Sequence, residues 1–248
     1  MYKTYDECPK IARESFESEQ EPTDFQNIDH IVFAGMGGSG AIGDLFSAIL
    51  SKTDIHVSLI KGYLLPKTVD KNTLVIVTSV SGNTDESLTV LKSTKKINCN
   101  VIAFASGGKM EQFCNNNEII FRKIPIFHSP RTSLINFTYS ILKILNSILP
   151  IEKKDIMESL DELDIIKKQI DSFNISDSNP AINLAKWIKG IPIIYYPHGL
   201  ESVAIRFKSS LQENSKTHVI TEDIIEACHN GIVSWEKPSI VQPILLQG

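Results

Sequence analysis

The sequence predicts an α/β protein with doubly wound parallel sheets, and two observations lead to this prediction. Short apolar runs rich in β-branched residues alternate with helical patterns along much of the chain. After a polar, turn-rich segment at residues 172–180, the order of strand, glycine-containing turn and helix begins again. The repeated order predicts two domains of this class.

The first domain, with a leading helical segment, is predicted to span residues 1–150. Five runs have the length and composition of buried parallel strands, near residues 31–35, 57–61, 74–78, 100–105 and 118–124. A strongly apolar helix follows from about Thr132 to Leu149, with Pro130 before it and Pro150 after it.

Residues 151–179 are predicted to connect the domains as an amphipathic helix followed by a linker. Apolar residues recur there at spacings of three and four from Ile156 to Phe173, as on one face of a helix. The polar residues after Phe173 predict the linker itself.

The second domain is predicted to span residues 180–248. Its expected elements are a helix near 181–189, a strand at 191–196, a Pro-His-Gly turn with a helix after it, and strands at 217–220 and 240–246. Because no helix follows the last strand, this second domain is expected to be incomplete.

Two loops in the first domain predict a binding site for a phosphate group. Gly35–Gly40 reads Gly-Met-Gly-Gly-Ser-Gly, and Ser79–Thr84 reads Ser-Val-Ser-Gly-Asn-Thr. Each joins a predicted strand to a predicted helix, where free backbone N–H groups and the helix dipole favour an anion. Neither loop contains lysine or arginine, so hydroxyls and amides are expected to bind the ligand. The alternative for a single such loop is an ordinary serine and glycine turn that caps a helix.

A nucleotide site is less well supported by the same residues. The glycine-rich loop fits the dinucleotide pattern loosely, but the next strand ends in Lys61 and Gly62 instead of the acid that would bind a ribose. The chain also lacks the pattern of a P-loop. These loops therefore favour a sugar phosphate.

The composition of the chain argues against several other classes of function. The net charge of −4 and the lack of a basic stripe argue against nucleic acid as a partner. The four cysteines show neither metal-ligand spacing nor a disulfide framework. Without a signal peptide or an apolar run long enough to span a membrane, a cytoplasmic protein that binds neither metal nor membrane is expected.

Further residues along the chain give it a resemblance to a known family. The two loops are followed, in this order, by Pro130-Arg131, by Glu213-Asn214 within the segment 206–216, and by His229-Asn230 with Trp235 after it. With this combination the chain resembles the bifunctional phosphoglucose/phosphomannose isomerases, which consist of two sugar isomerase (SIS) domains. The resemblance covers nearly the whole sequence.

The resemblance implies isomerisation of glucose 6-phosphate or mannose 6-phosphate to fructose 6-phosphate through an enediol, without a cofactor. It implies that Glu213 moves the proton between C1 and C2, that Arg131 stabilises the enediolate, and that His229 assists ring opening. The phosphate would be bound by residues of the two loops, namely Gly38, Ser39, Ser79, Ser81 and Thr84. The family further implies a homodimer in which the partner subunit supplies the histidine to a site between domains.

Some alternatives remain at the level of sequence. Glu213 also fits a solvated surface acid at the end of a helix, and His198 and His218 are rivals of His229. A sugar-phosphate-binding protein without catalysis is the alternative function. Gly231 departs from the family, which usually has glutamate there, and family members continue beyond the strand at 240–246.

Overall fold

The computed structural model describes residues 2–248, so Met1, where the first predicted domain begins, lies outside the described residues. The chain divides into two compact units, of which the first ends at Ile165 and the second spans Ile166–Gly248. Both units contain parallel sheets with helices between the strands, which confirms the predicted α/β class.

The first unit is built on a five-stranded parallel sheet with the strand order β2-β1-β3-β4-β5. Its strands are β1 (His30–Ala34), β2 (His56–Ile60), β3 (Thr73–Ser79), β4 (Asn100–Ala105) and β5 (Ile120–Lys123). All residues of β1 and β3 are buried, as expected for central strands covered on both faces.

Helices cover both faces of this sheet. The helices of the unit are α1 (Tyr2–Asp6), α2 (Cys8–Phe16), α3 (Gly38–Leu50), α4 (Asp85–Thr94), α5 (Gly108–Asn116), α6 (Leu134–Ile144) and α7 (Lys153–Ile170), the last of which continues past Ile165. One apolar core joins alternate strand residues such as Phe33 and Ile76 to α3 and α6. A second core joins the opposite strand face, including Val32, to α4 and α5. The helices α3 and α4 therefore pack on opposite faces of the sheet.

The second unit has a three-stranded parallel sheet in the order β7-β6-β8. Its elements are α8 (Pro180–Trp187), β6 (Ile191–Tyr196), α9 (Glu201–Ser215), β7 (Ile220–Asp223), α10 (Ile224–His229) and β8 (Val241–Leu245). Here too the two faces differ, because α9 packs through Ala204 on one face and α10 packs through Ala227 on the other.

Two predicted elements have different bounds in the structure. The helix predicted from Thr132 to Leu149 begins with a 3-10 turn at Pro130–Thr132 and ends at Ile144. The helix ends there because the carbonyl of Ile144 accepts a hydrogen bond at 2.8 Å from the backbone N–H of Thr23, instead of one from a following turn.

The strand predicted at 217–220 lies at Ile220–Asp223. Pairing with β6 sets its register, since Ile193 faces Ile220 and Tyr196 faces Asp223. An edge strand buries fewer side chains, and so the polar residues Thr221 to Asp223 are accommodated there.

Within the described residues, no helix combines the length and the apolar character required to span a lipid bilayer.

Candidate sugar-phosphate site

The two predicted phosphate loops lie side by side in the first unit. The strands β1 and β3 are neighbours and run in parallel, so the loops that follow them emerge at the same edge of the sheet. Because α3 and α4 then pack on opposite faces, this edge contains the point where the winding of the sheet reverses. Ligands of open α/β sheets bind in the crevice at such a point.

The serine-rich loop is ordered by hydrogen bonds among its own hydroxyl groups. The Oγ of Ser79 lies 2.9 Å from Oγ1 of Thr84 and accepts a hydrogen bond at 3.1 Å from the N–H of Gly82. The Oγ of Ser81 accepts a hydrogen bond at 3.2 Å from the N–H of Asn83. Three of the predicted residues are thus brought together, with Ser79 buried and the hydroxyls of Ser81 and Thr84 on partly exposed residues.

The N-terminus of α4 lies at the end of this loop. Thr84 occupies the N-cap position in an extended conformation, but its side chain makes no capping hydrogen bond to the helix. Its hydroxyl bonds to Ser79 instead. The first-turn N–H groups of α4 therefore have no side-chain cap at the place where an anion is favoured.

Gly82 locks the serine-rich loop against the loop that follows β4. Its φ of +68° lies in the left-handed region, and a β-carbon at this position would collide with the carbonyl oxygen of Gly107. The carbonyl of Gly82 also accepts a hydrogen bond at 2.9 Å from the N–H of Met110, and Oδ1 of Asn83 accepts one at 3.0 Å from the N–H of Lys109. The hydroxyl groups are consequently held by a rigid backbone.

The glycine-rich loop supplies the second helix start. α3 begins at Gly38, its N-cap position is Gly37, and no side chain caps it. Ser39 lies buried in the first turn, and its backbone N–H donates to the carbonyl of Met36 at 3.0 Å. Gly38 and Ser39 therefore occupy the helix end at which the sequence predicted phosphate binding.

A lysine that sequence reasoning did not assign to the site lies against this loop. Lys61 follows β2, and its Cε lies 3.4 Å from the place of a β-carbon on Gly40. Its Nζ forms an ion pair at 2.7 Å with Oδ2 of Asp44 in α3. The signal in the sequence was Lys61 itself, a cation at a strand end where a dinucleotide site would have an acid.

Arg131 belongs to the same unit and follows the last strand of its sheet. It lies exposed in the 3-10 turn Pro130–Thr132, between β5 and α6. The turn is braced by Oγ of Ser133, which donates to the carbonyl of Ser129 at 2.8 Å, and by the buried Asn136, whose Nδ2 donates to the carbonyl of Pro125 at 2.6 Å. The guanidinium is thus carried by a well-anchored segment.

Glu213 and His229 lie in the second unit. Glu213 is exposed in the last turn of α9, where its backbone carbonyl accepts a hydrogen bond at 2.7 Å from Nζ of Lys216. His229 is the exposed last residue of α10, and Asn230 after it donates to Oε1 of Glu226 at 3.2 Å. The rivals His198 and His218 are also exposed, in the loop after β6 and before β7.

Carboxylates occupy the helix starts in the second unit. Asp223 caps α10 by accepting hydrogen bonds from the N–H groups of Ile225 and Glu226, and Glu201 lies in the first turn of α9. Burial, together with the charges of Glu201, Asp223 and Glu222, raises the pKa of Tyr196 at this edge. Asp223 thus already occupies the start of α10, whereas α3 and α4 have no side-chain cap and begin side by side after neighbouring strands, so their starts are the candidate phosphate site.

The described part of the chain contains no group of three or more His, Cys, Asp or Glu side chains arranged to hold a metal ion.

Two family models match the chain. Residues 24–148, half of the chain, match the model described as "SIS domain", and residues 177–247 match "Bacterial phospho-glucose isomerase C-terminal SIS domain". The range that matches the first model includes both phosphate loops and Arg131, and the range that matches the second includes Glu213 and His229.

Named relatives agree with these models. The chain is 33% identical over 219 residues to a bifunctional phosphoglucose/phosphomannose isomerase from Caldicellulosiruptor bescii, covering 86% of this chain and 64% of the relative. It is 28% identical over 227 residues to the protein of the same name from Aquifex aeolicus, covering 91% and 68%. The chain thus spans about two thirds of the length of these relatives. The share is slightly below two thirds for the relative from Caldicellulosiruptor bescii.

Among solved structures, tagatose-6-phosphate ketose/aldose isomerase from Escherichia coli superposes with a TM-score of 0.68 at 15% identity, covering 98% of this chain and 71% of that one. At this identity the likeness shows the fold. The predicted resemblance to the isomerases is confirmed by the relatives, and the match over residues 24–148 shows that the chain belongs to the SIS domain family.

Proposed function

We propose that the chain interconverts glucose 6-phosphate, mannose 6-phosphate or both with fructose 6-phosphate through an enediol. The observation that supports this most is the pair of uncapped helix starts, each with buried serine beside it, at one crevice of the first sheet. The names of the relatives supply the reaction class. Gly38, Ser39, Ser79, Ser81 and Thr84 are proposed to bind the phosphate.

Three further residues are proposed to carry the chemistry. Moving a proton between C1 and C2 requires a base, for which Glu213 is proposed. Negative charge develops on the substrate oxygen as the proton leaves, and a fixed cation there, proposed to be Arg131, lowers the barrier. His229 is proposed to exchange the proton of ring opening, since imidazole titrates near neutral pH. None of these steps requires a cofactor.

The first test is phosphate binding by the serine-rich loop. Ser81→Ala removes one hydroxyl donor to an anion, which is expected to weaken fructose 6-phosphate binding by about 1.5–3 kcal/mol. Isothermal titration calorimetry measures the affinity. The matched control is Ser93→Ala, which removes a hydroxyl that donates to the carbonyl of Thr89 at the other end of α4. Equal affinity of Ser81→Ala and the parent would place the phosphate elsewhere.

We further propose that the chain forms a homodimer. The outer edge of β8 has no partner strand in the described residues, and both Ile240, which precedes the strand, and Leu245, its last residue, are exposed, by 73% and 53%. An apolar strand edge of this kind favours pairing with another chain. Sedimentation velocity at micromolar concentration is expected to show a dimer, and Ile240→Lys is expected to shift it toward monomer. A monomeric parent protein would contradict the proposal.

The alternative, sugar-phosphate binding without catalysis, predicts affinity for fructose 6-phosphate with no turnover. Incubation with fructose 6-phosphate in D₂O separates the two functions. Isomerisation incorporates deuterium at C2 of the aldose product, which NMR detects directly. Binding without incorporation would favour the alternative.

A further inference from the structure

The segment after β2, residues 61–64, links the two helices that begin at the phosphate loops. We call it the bridging segment. Lys61 at its start is paired with Asp44 of α3 at 2.7 Å. Tyr63, two residues later, donates its hydroxyl to Oε1 of Glu86 in the first turn of α4 at 3.0 Å. One short stretch of chain is therefore attached to both helices.

The topology makes this attachment significant. α3 packs on one face of the sheet and α4 on the other, so a segment bonded to both must cross the carboxyl-terminal edge of the sheet. It leaves from β2, which pairs with β1, and reaches the helix that follows β3 on the other side of β1. The bridging segment thus crosses at the end of β1, where the glycine-rich loop lies. Next in the chain, Leu65 packs into the core on the α4 side.

Several carboxylates lie close to the starts of the two helices. The Asp44 side chain is only 4% exposed, and Asp85 and Glu86 lie in the first turn of α4. The two phosphate loops contain no lysine or arginine that would offset these carboxylates when a phosphate dianion binds. Lys61 neutralises Asp44, and its side chain remains 41% exposed. An ammonium group has three donors, so one bond to Asp44 leaves others for a second acceptor.

We propose that Lys61, oriented by Asp44, is a further phosphate-recognition residue of this site, an inference that rests on the proposed function. Tyr63 positions the bridging segment through its hydrogen bond to Glu86. The ligand class is a sugar phosphate in its dianionic form. Lys61 adds a charged N–H donor to an otherwise hydroxyl and amide site, and therefore acts on binding more than on proton transfer.

The test compares affinity and turnover in variants of the full chain. Lys61→Met is expected to weaken binding of fructose 6-phosphate and of inorganic phosphate by about ten- to a hundredfold in calorimetry. KM is expected to rise to a similar extent, with kcat changed by less than about threefold. Lys61→Arg, which keeps the charge, is expected to restore most of the affinity. Lys67→Met, an exposed lysine in the same connection between β2 and β3, is the matched control.

Lys61→Met leaves the buried Asp44 carboxylate without its cation, which risks misfolding. The double variant Asp44→Asn with Lys61→Met removes both charges and is expected to fold while showing the same loss of affinity. Tyr63→Phe tests the positioning contact and is expected to raise KM about two- to fivefold, whereas Tyr5→Phe in α1 is expected to leave KM unchanged.

The outcomes separate this inference from the proposed function. If the parent binds fructose 6-phosphate and the double variant binds it equally tightly, Lys61 does not recognise phosphate and the inference is overturned alone. A loss of kcat with unchanged KM in Lys61→Met would overturn it as well. If the parent binds neither fructose 6-phosphate nor inorganic phosphate, the proposed function fails and the inference fails with it.

Discussion

Glu213→Gln is expected to abolish most isomerisation while leaving sugar-phosphate binding intact. The amide has the shape of the carboxylate but does not accept the proton that moves between C1 and C2, and loss of a general base typically slows a reaction on the order of 10²–10⁴-fold. The side chain lies in the last turn of α9, apart in the sequence from the phosphate loops, so binding is expected to persist. The measurements are deuterium incorporation at C2 by NMR and fructose 6-phosphate affinity by calorimetry.

Two further variants sharpen this result. Glu162→Gln changes an exposed glutamate of α7 in the same way and is expected to react at the parent rate. Arg131→Lys is expected to slow turnover, because an ammonium group does not reproduce the planar fork of a guanidinium. Unchanged deuterium incorporation in Glu213→Gln would leave the isomerase proposal standing and remove Glu213 as its base.

Much of the first unit follows from local sequence. The strands β1 and β3 were predictable because a fully buried parallel strand must be apolar along its length, as His30–Ala34 and Thr73–Ser79 largely are. The start of α4 was predictable because Thr84, Asp85 and Glu86 form an N-terminal signal at consecutive positions.

Elements that depend on distant partners were predicted less well. The end of α6 depends on Thr23, which lies more than a hundred residues earlier in the chain. The backbone N–H of Thr23 donates a hydrogen bond to the carbonyl of Ile144. The position of β7 depends on its register with β6, while its own residues Thr221, Glu222 and Asp223 resemble a loop. Local periodicity contains no information about either partner.

The same distinction applies to the candidate site. Each phosphate loop is continuous in sequence, and its residue types alone indicated anion binding. Lys61 and Tyr63 were not assigned, because their relevance arises only when Asp44 and Glu86 are placed on helices at opposite faces of the sheet. The strand order that creates this arrangement is a property of the fold and not of any motif.

Gly82→Ala is expected to be the most damaging small substitution in the phosphate site. A left-handed backbone costs a non-glycine residue about 1–2 kcal/mol, and forcing a methyl group into a filled space costs about 1–3 kcal/mol more. The group that the methyl would meet is the backbone carbonyl of Gly107, which cannot rotate away as a side chain would. We expect a lower urea midpoint of unfolding and loss of fructose 6-phosphate binding, since Ser79 and Ser81 are held by this turn.

Gly37→Ala separates the two causes. Gly37 also has a positive φ, of +55°, but a β-carbon there would meet no atom within 4 Å. Its substitution is therefore expected to cost only the conformational part, about 1–2 kcal/mol. The difference between the free energies of unfolding of the two variants measures the collision between the serine-rich loop and Gly107. If Gly82→Ala were no less stable than Gly37→Ala, the loop would be free to move away from Gly107, and a rigid phosphate site at this position would be refuted.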